Sequence, residues 1–111
     1  MSAINGVYRH ESSNTTLTLE EGDDSHGTCS GTLSLAGIEY PLGFANYHFK
    51  HGLSSGPVAI SFSVGFASGM AQAWVLFSAD QRYTRLRAMG TDVANNGNVG
   101  LTAREFIRQT P

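Results

Sequence analysis

Residues 57–66, PVAISFSVGF, alternate large apolar and small side chains without a break. A period of two marks an extended strand, because successive side chains point to opposite faces. One face carries Val58, Ile60, Phe62, Val64 and Phe66, and the other carries Ala59, Ser61, Ser63 and Gly65. The large face must be buried. Backbone N–H and C=O groups that are buried with it need partners, so further strands must lie on both sides.

The rest of the chain supplies them. A short strand around Val7 to Glu11 follows Asn5-Gly6, and "NTTLTLEE" alternates Leu17 and Leu19 with Thr16, Thr18 and Glu20. "EGDDSHG" reads as a polar turn. "TCSGTLSL" places Cys29, Gly31, Leu33 and Leu35 on one face, and Ala36-Gly37 forms a two-residue hairpin loop into "IEYPL". Pro41 has no N–H to donate, so it belongs at an edge, a bulge or a strand end. "ANYHFK" extends that strand as far as "HGLSSGP", and "MAQAWVLFS", "YTRLRAMGT" and "VGLTAREFIRQ" complete the set. By periodicity the last could begin a helix, but its length and setting favour a strand. Eight short strands on short turns predict one all-β domain over residues 1–111. The predicted architecture is an antiparallel up-and-down eight-stranded β-barrel, with a β-sandwich as the rival.

Composition narrows the function classes. Only 14% of the 111 residues are charged, Lys50 is the one lysine, and the formal net charge is -2. Nucleic-acid binding through phosphate neutralisation is therefore not expected. No apolar run has the about 18 residues of a membrane helix, and "MSAINGVYRHE" lacks a leader's basic start and apolar stretch. As written the chain reads as cytoplasmic, or as secreted with a leader removed. Cys29 stands alone and reads as a packed thiol. Acidic residues concentrate in the first half and arginines in the second, so the halves either attract each other or present a charged docking surface.

The segments "YPLGFA" and "ISFSVGF" resemble the Tyr-Pro-Leu segment and the Phe-Ser-Val-Gly-Trp-like strand of the avidin and streptavidin family. "NTTLTLEEGDDSHGTCSGTL" is similar to that family's opening hairpin, and "GLTAREFIRQ" to its closing strand. The resemblance implies a barrel with a small ligand in its mouth. Carried across by position, it puts Tyr8 where a Trp begins the first strand. His10 and Asn14 match the Asn and Ser that bind a ureido oxygen, and Phe66 and Met89 fall at or near pocket Trp positions. Arg104 stands where the last strand offers an Asp or Asn to a ureido N–H. A guanidinium has no acceptor, so the implied site is a substituted biotin pocket whose ligand is open. Trp74 matches no pocket Trp in this register and reads as core or subunit contact.

Two facings remain open in the sequence. If Met89 points inward, Arg85 and Arg87 do too, and Arg87 with Arg104 would suit an anionic ligand at the barrel mouth. Core logic instead puts Leu86 and Ala88 inside and the arginines outside. The small face of residues 59–65 is either a plain solvent face or a sheet-packing surface for a second copy, giving a homodimer or homotetramer. His48 and His51 would lie on opposite faces of a strand, so no metal site is expected, and no cofactor motif is present. A small acid–base enzyme would have His10 and Tyr8 as proton carriers, and a structural or protein-binding module would have its barrel plugged by its own side chains.

Overall fold

A computed structural model of the chain describes residues 2–48, 57–65, 71–93 and 99–109. The described segments form the strands β1 (Gly6–His10), β2 (Thr15–Asp23), β3 (Thr28–Leu35), β4 (Ile38–Pro41), β5 (Gly43–His48), β6 (Val58–Gly65), β7 (Ala71–Ser78), β8 (Arg85–Val93) and β9 (Val99–Arg108). Every pairing is antiparallel, and each strand pairs with its neighbour in sequence except across the β4–β5 break. Two facts close the ring: β2 pairs β3, and β1 pairs β9 at Tyr8↔Arg108 and Arg9↔Ile107. The result is the closed eight-stranded meander barrel, not the sandwich, with β4 and β5 as two halves of one stave.

That stave breaks for local reasons. Leu35↔Ile38 closes around Ala36 and Gly37, both at positive φ (51° and 86°), as a two-residue hairpin of the type whose twist matches the strands. Pro41 then ends β4, the Leu42 N–H turns to the Gly31 carbonyl, and Phe44 adopts φ 49° in a bulge opposite β6. β5 resumes against β3 at Thr28↔Asn46. On its other side Gly31 lets β2 approach closely, since a Cβ there would collide with the Thr18 carbonyl oxygen.

The alternation reads through to burial. Val58, Ile60, Phe62 and Val64 are all buried and face the lumen beside Leu17, Leu19, Leu33, Tyr47, Trp74, Leu76, Leu86 and Phe106. Ala59, Ser61 and Gly65 are exposed. The final strand is a strand and not a helix. One boundary departs from expectation: β2 continues to Asp23 through an irregularity at Glu21 (φ 54°), so only the second half of "EGDDSHG" is turn. Phe66, His51 and the "NNGN" turn lie outside the described residues.

One end of the barrel, here the lower, is sealed. Residues 2–5 fold under it and bury Ile4 completely, where the Ile4 carbonyl accepts a 2.6 Å hydrogen bond from the Tyr8 hydroxyl. Arg108 lies over the Tyr8 ring and donates to the carbonyls of Ala3, Asn5 and Arg82 at 2.6–3.2 Å. The Tyr47 and Ser2 hydroxyls both donate to Asp24 in the adjoining turn. Burial pushes the Tyr8 and Tyr83 hydroxyls up to about 12, and burial with the Asp24 bond raises Tyr47 further. These hydroxyls hold their protons more tightly in the folded chain than in the unfolded one. The folded state therefore binds more protons above the ordinary tyrosine value of 10, and its stability falls as pH rises. Chemical denaturation as a function of pH should show stability level through neutral pH and dropping from about pH 10 toward 12. Tyr8→Phe should be less stable by about 1 kcal/mol at pH 7, and its alkaline decline should be shallower.

Candidate functional site

At the other, upper end, the inward side chains of His10 and Arg104 are half-buried. There β1 ends at His10, the turn at residues 11–14 leads into Thr15, and the Ala36 N–H ties the neighbouring hairpin to the Asn14 carbonyl. Four rings line the lumen at this level. Phe62 and Trp74, directly paired across β6 and β7, stack at 22° with centroids 6.1 Å apart; Phe106 meets Trp74 edge-on; His10 tilts against Phe106. Gly90 makes room for the indole, since a Cβ there would come within 2.8–2.9 Å of three Trp74 ring atoms. The Trp74 Nε1–H donates to Gln72 Oε1 at 3.0 Å, which fixes the ring's orientation. Trp74 is 2% exposed and belongs to the core.

Arg104 enters above this floor. On β9 it alternates with Glu105, so it points into the barrel with Phe106 two residues on. Its guanidinium lies over the Trp74 ring at 5.9 Å, within cation–π range. Nη1 donates to the hydroxyls of Ser13 at 3.1 Å and Thr15 at 3.4 Å, while Nε is fully buried and has no partner. No carboxylate among the described side chains pairs with it.

The expected site residues divide sharply. Arg104 and His10 converge at the upper end, where His10 is half-buried and its Nδ1 lies 3.0 Å from the Glu105 carbonyl. Tyr8 faces inward but sits deep in the core toward the sealed end, its hydroxyl committed to Ile4. Asn14 lies exposed in the turn. Met89 requires correction: it is 46% exposed on the outer face, because Leu86 and Ala88 take the inward places on β8. Gly90, not Met89, is the β8 residue that meets the pocket Trp. Arg85 and Arg87 are likewise outside, reaching Glu105 at 3.3 and 3.9 Å. Arg87 and Arg104 thus stand on opposite faces of the wall and do not form one anion clamp.

Sequence reading missed Trp74, Phe62, Ser13 and Thr15 as site residues. The signal for Trp74 was present: it falls in register with Leu76 and Ser78 on one face of "MAQAWVLFS", and that face is the inward one. Ser13 and Thr15 carry no pattern of their own and are placed by the β1–β2 turn.

Cys29 is partly buried, and burial pushes its thiol up to about 11, so it stays protonated and inert at neutral pH. His26 pairs with Asp23 in an exposed turn, and that bond holds the carboxyl below its usual range. On the outside, a shallow groove of about 700 Å³ runs along Val75, Phe77, Arg87, Met89, Ala103 and Glu105, reaching His10 and Arg104.

Against known proteins, the chain matches no family model, no curated protein and no solved structure. The reading of the site therefore rests on its own geometry.

Gly90→Ala tests the placement of Trp74. The added methyl must displace the indole, which should cost about 1–3 kcal/mol in denaturant unfolding and alter the emission of this single tryptophan. Unchanged emission and stability would contradict the packing described.

Proposed function

We infer that the protein is a non-enzymatic barrel that binds a small ligand at its upper end, where the half-buried Arg104 and His10 converge above the Trp74 and Phe62 rings. One observation carries this reading: the two ends of the lumen are treated differently. The lower end is closed with its polar groups bonded inside the protein, whereas at the upper end Arg104, His10 and Ser13 are half-buried over buried aromatic rings and one guanidinium donor is unbonded. Apolar walls with a few convergent polar groups are what small-molecule sites are made of. The acid–base alternative is weakened by Tyr8, whose hydroxyl is buried, bonded to a carbonyl and raised to about 12, leaving His10 without a proton-carrying companion.

The same reading includes a second copy on the outer face. Phe44, Asn46, His48, Ala59, Ser61, Ser63, Gly65, Ala71, Ala73, Val75 and Phe77 form the outer side of β5, β6 and β7, without one Asp, Glu, Lys or Arg. Val75 and Phe77 stand up as a ridge, 61% and 46% exposed. It is flanked by the 700 Å³ groove on one side and by one of about 270 Å³ over Ala59 and Ser61 on the other. A ridge between two furrows is self-complementary, as a two-fold interface requires. Strands β5 to β7, each about 4.8 Å wide and up to about 27 Å long, offer a footprint of roughly 400 Å². This is about half of the roughly 800 Å² per partner of a standard interface, and the flanking grooves would have to supply the rest.

Native mass spectrometry with and without biotin tests both parts. The expected spectrum is a dimer or its multiple that retains no biotin, because Arg104 offers a donor where a ureido N–H needs an acceptor. Phe77→Glu should give a folded monomer. A wild-type monomer at micromolar concentration would exclude the interface, and stoichiometric biotin would show that the substituted pocket keeps the ligand the resemblance implies.

A further inference from the structure

Two arginines point inward from β9, four residues apart, and their surroundings differ in kind. Arg108 is neutralised as a structural group: its Nη atoms reach the Ala3, Asn5 and Arg82 carbonyls and the Tyr8 hydroxyl, and its plane covers the Tyr8 ring. Arg104 has no carbonyl among its partners. It has two hydroxyls, at 3.1 and 3.4 Å, that are hydrogen-bonded to each other at 2.9 Å, and one Nε–H that is buried and unbonded. Hydroxyls are weak acceptors for a guanidinium, but they can rotate and donate to an anion beside it. An incompletely bonded guanidinium inside a barrel is disfavoured unless something else completes it.

Resting on the ligand-binding reading above, we propose that the upper end of the barrel takes a small carboxylate with a flat or extended apolar body. The carboxylate sits against the guanidinium of Arg104, with whichever of the Ser13 and Thr15 hydroxyls does not donate to the other as a second donor, and the apolar body takes the place of the guanidinium over the Trp74 ring. Three features select this class. The donors at the site form a planar guanidinium fork with adjacent hydroxyls, which fits two coplanar oxygens. Among the acids whose side chains are described, those with a polar partner are engaged elsewhere: Glu105 with Arg85 and Arg87, Asp23 with His26, Asp24 with Ser2 and Tyr47, and Asp80 with the Arg82 N–H. The group beneath the guanidinium is the Trp74 indole, stacked on Phe62, so a bare inorganic anion that drew Arg104 away would leave the ring without an apolar cover. On binding, the guanidinium swings off the indole toward the ligand oxygens, which frees its buried Nε–H to donate and uncovers the Trp74 face for the apolar body.

Trp74 reports directly on this site, since it is the chain's one tryptophan and lies under Arg104. The experiment titrates the protein with benzoate, hexanoate, benzamide and inorganic phosphate, following tryptophan fluorescence and isothermal heats. It is repeated on Arg104→Met, with thermal unfolding measured alongside. Saturable binding of benzoate or hexanoate at least tenfold tighter than benzamide and phosphate is expected. That preference should be lost in Arg104→Met, which melts at the same or a higher temperature because an incompletely bonded charge has been removed. Benzamide binding as tightly as benzoate would overturn the carboxylate proposal while leaving a small-ligand barrel. Phosphate binding as tightly as either carboxylate would overturn the apolar-body part. Failure of all four probes would overturn both the proposal and the reading beneath it. A clearly lower melting temperature for Arg104→Met would make Arg104 a structural plug like Arg108, and would also overturn the proposal.

Discussion

The seam between β1 and β9 is the constraint on which the rest of the structure depends. It joins the ends of the chain through only two registered pairs, Tyr8↔Arg108 and Arg9↔Ile107, with the Gln109 N–H adding a bond to the Val7 carbonyl. An unclosed sheet would leave two edges of unpaired N–H and C=O groups, and closure removes both. So short a seam needs help from side chains. Tyr8 and Arg108, opposite each other across it, stack face to guanidinium and tie residues 2–5 beneath the barrel. The seam also fixes which side chains of β9 face the lumen. Once Arg108 is inside, Phe106 and Arg104 must be inside as well.

From that one choice of face the two ends acquire different characters. At the lower end the guanidinium meets carbonyls that the N-terminal segment delivers, and the polar groups are satisfied within the protein. At the upper end the segment that meets Arg104 is the tight β1–β2 turn, which brings only hydroxyls. An identical side chain on the same strand is thus structural at one end and incompletely bonded at the other. Natural proteins concentrate such local violations where they bind or react. The aromatic floor of Phe62, Trp74 and Phe106 separates the two environments.

Much of the fold was legible in the sequence because it depends on periodicity. The alternation at residues 58–64, the leucines of residues 17–19 and the Ala36-Gly37 loop each state a local geometry that the barrel adopts. The site was less legible, for a physical reason. Facing on β8 was ambiguous between Met89 and its neighbours, because "RLRAMG" places large side chains on both faces. Burial of Leu86 and Ala88, together with the fit of the Trp74 ring over Gly90, decides it. Ser13 and Thr15 became neighbours of Arg104 through a contact 91 and 89 residues apart in sequence, which no local pattern encodes. The charge asymmetry between the halves also did not translate into ion pairs. Those formed by described residues lie within one half or the other.

The central claim is that the two inward arginines of β9 differ in function, and the arginine Nε–Hε resonances test it most directly. With the protein labelled with nitrogen-15, the Nε–Hε signals of Arg104 and Arg108 are assigned by substitution and followed as benzoate is added. The account predicts that the Arg104 signal moves with saturation while the Arg108 signal, held among carbonyls at the sealed end, stays in place. Two arginine signals equally unmoved, or equally displaced, would contradict it.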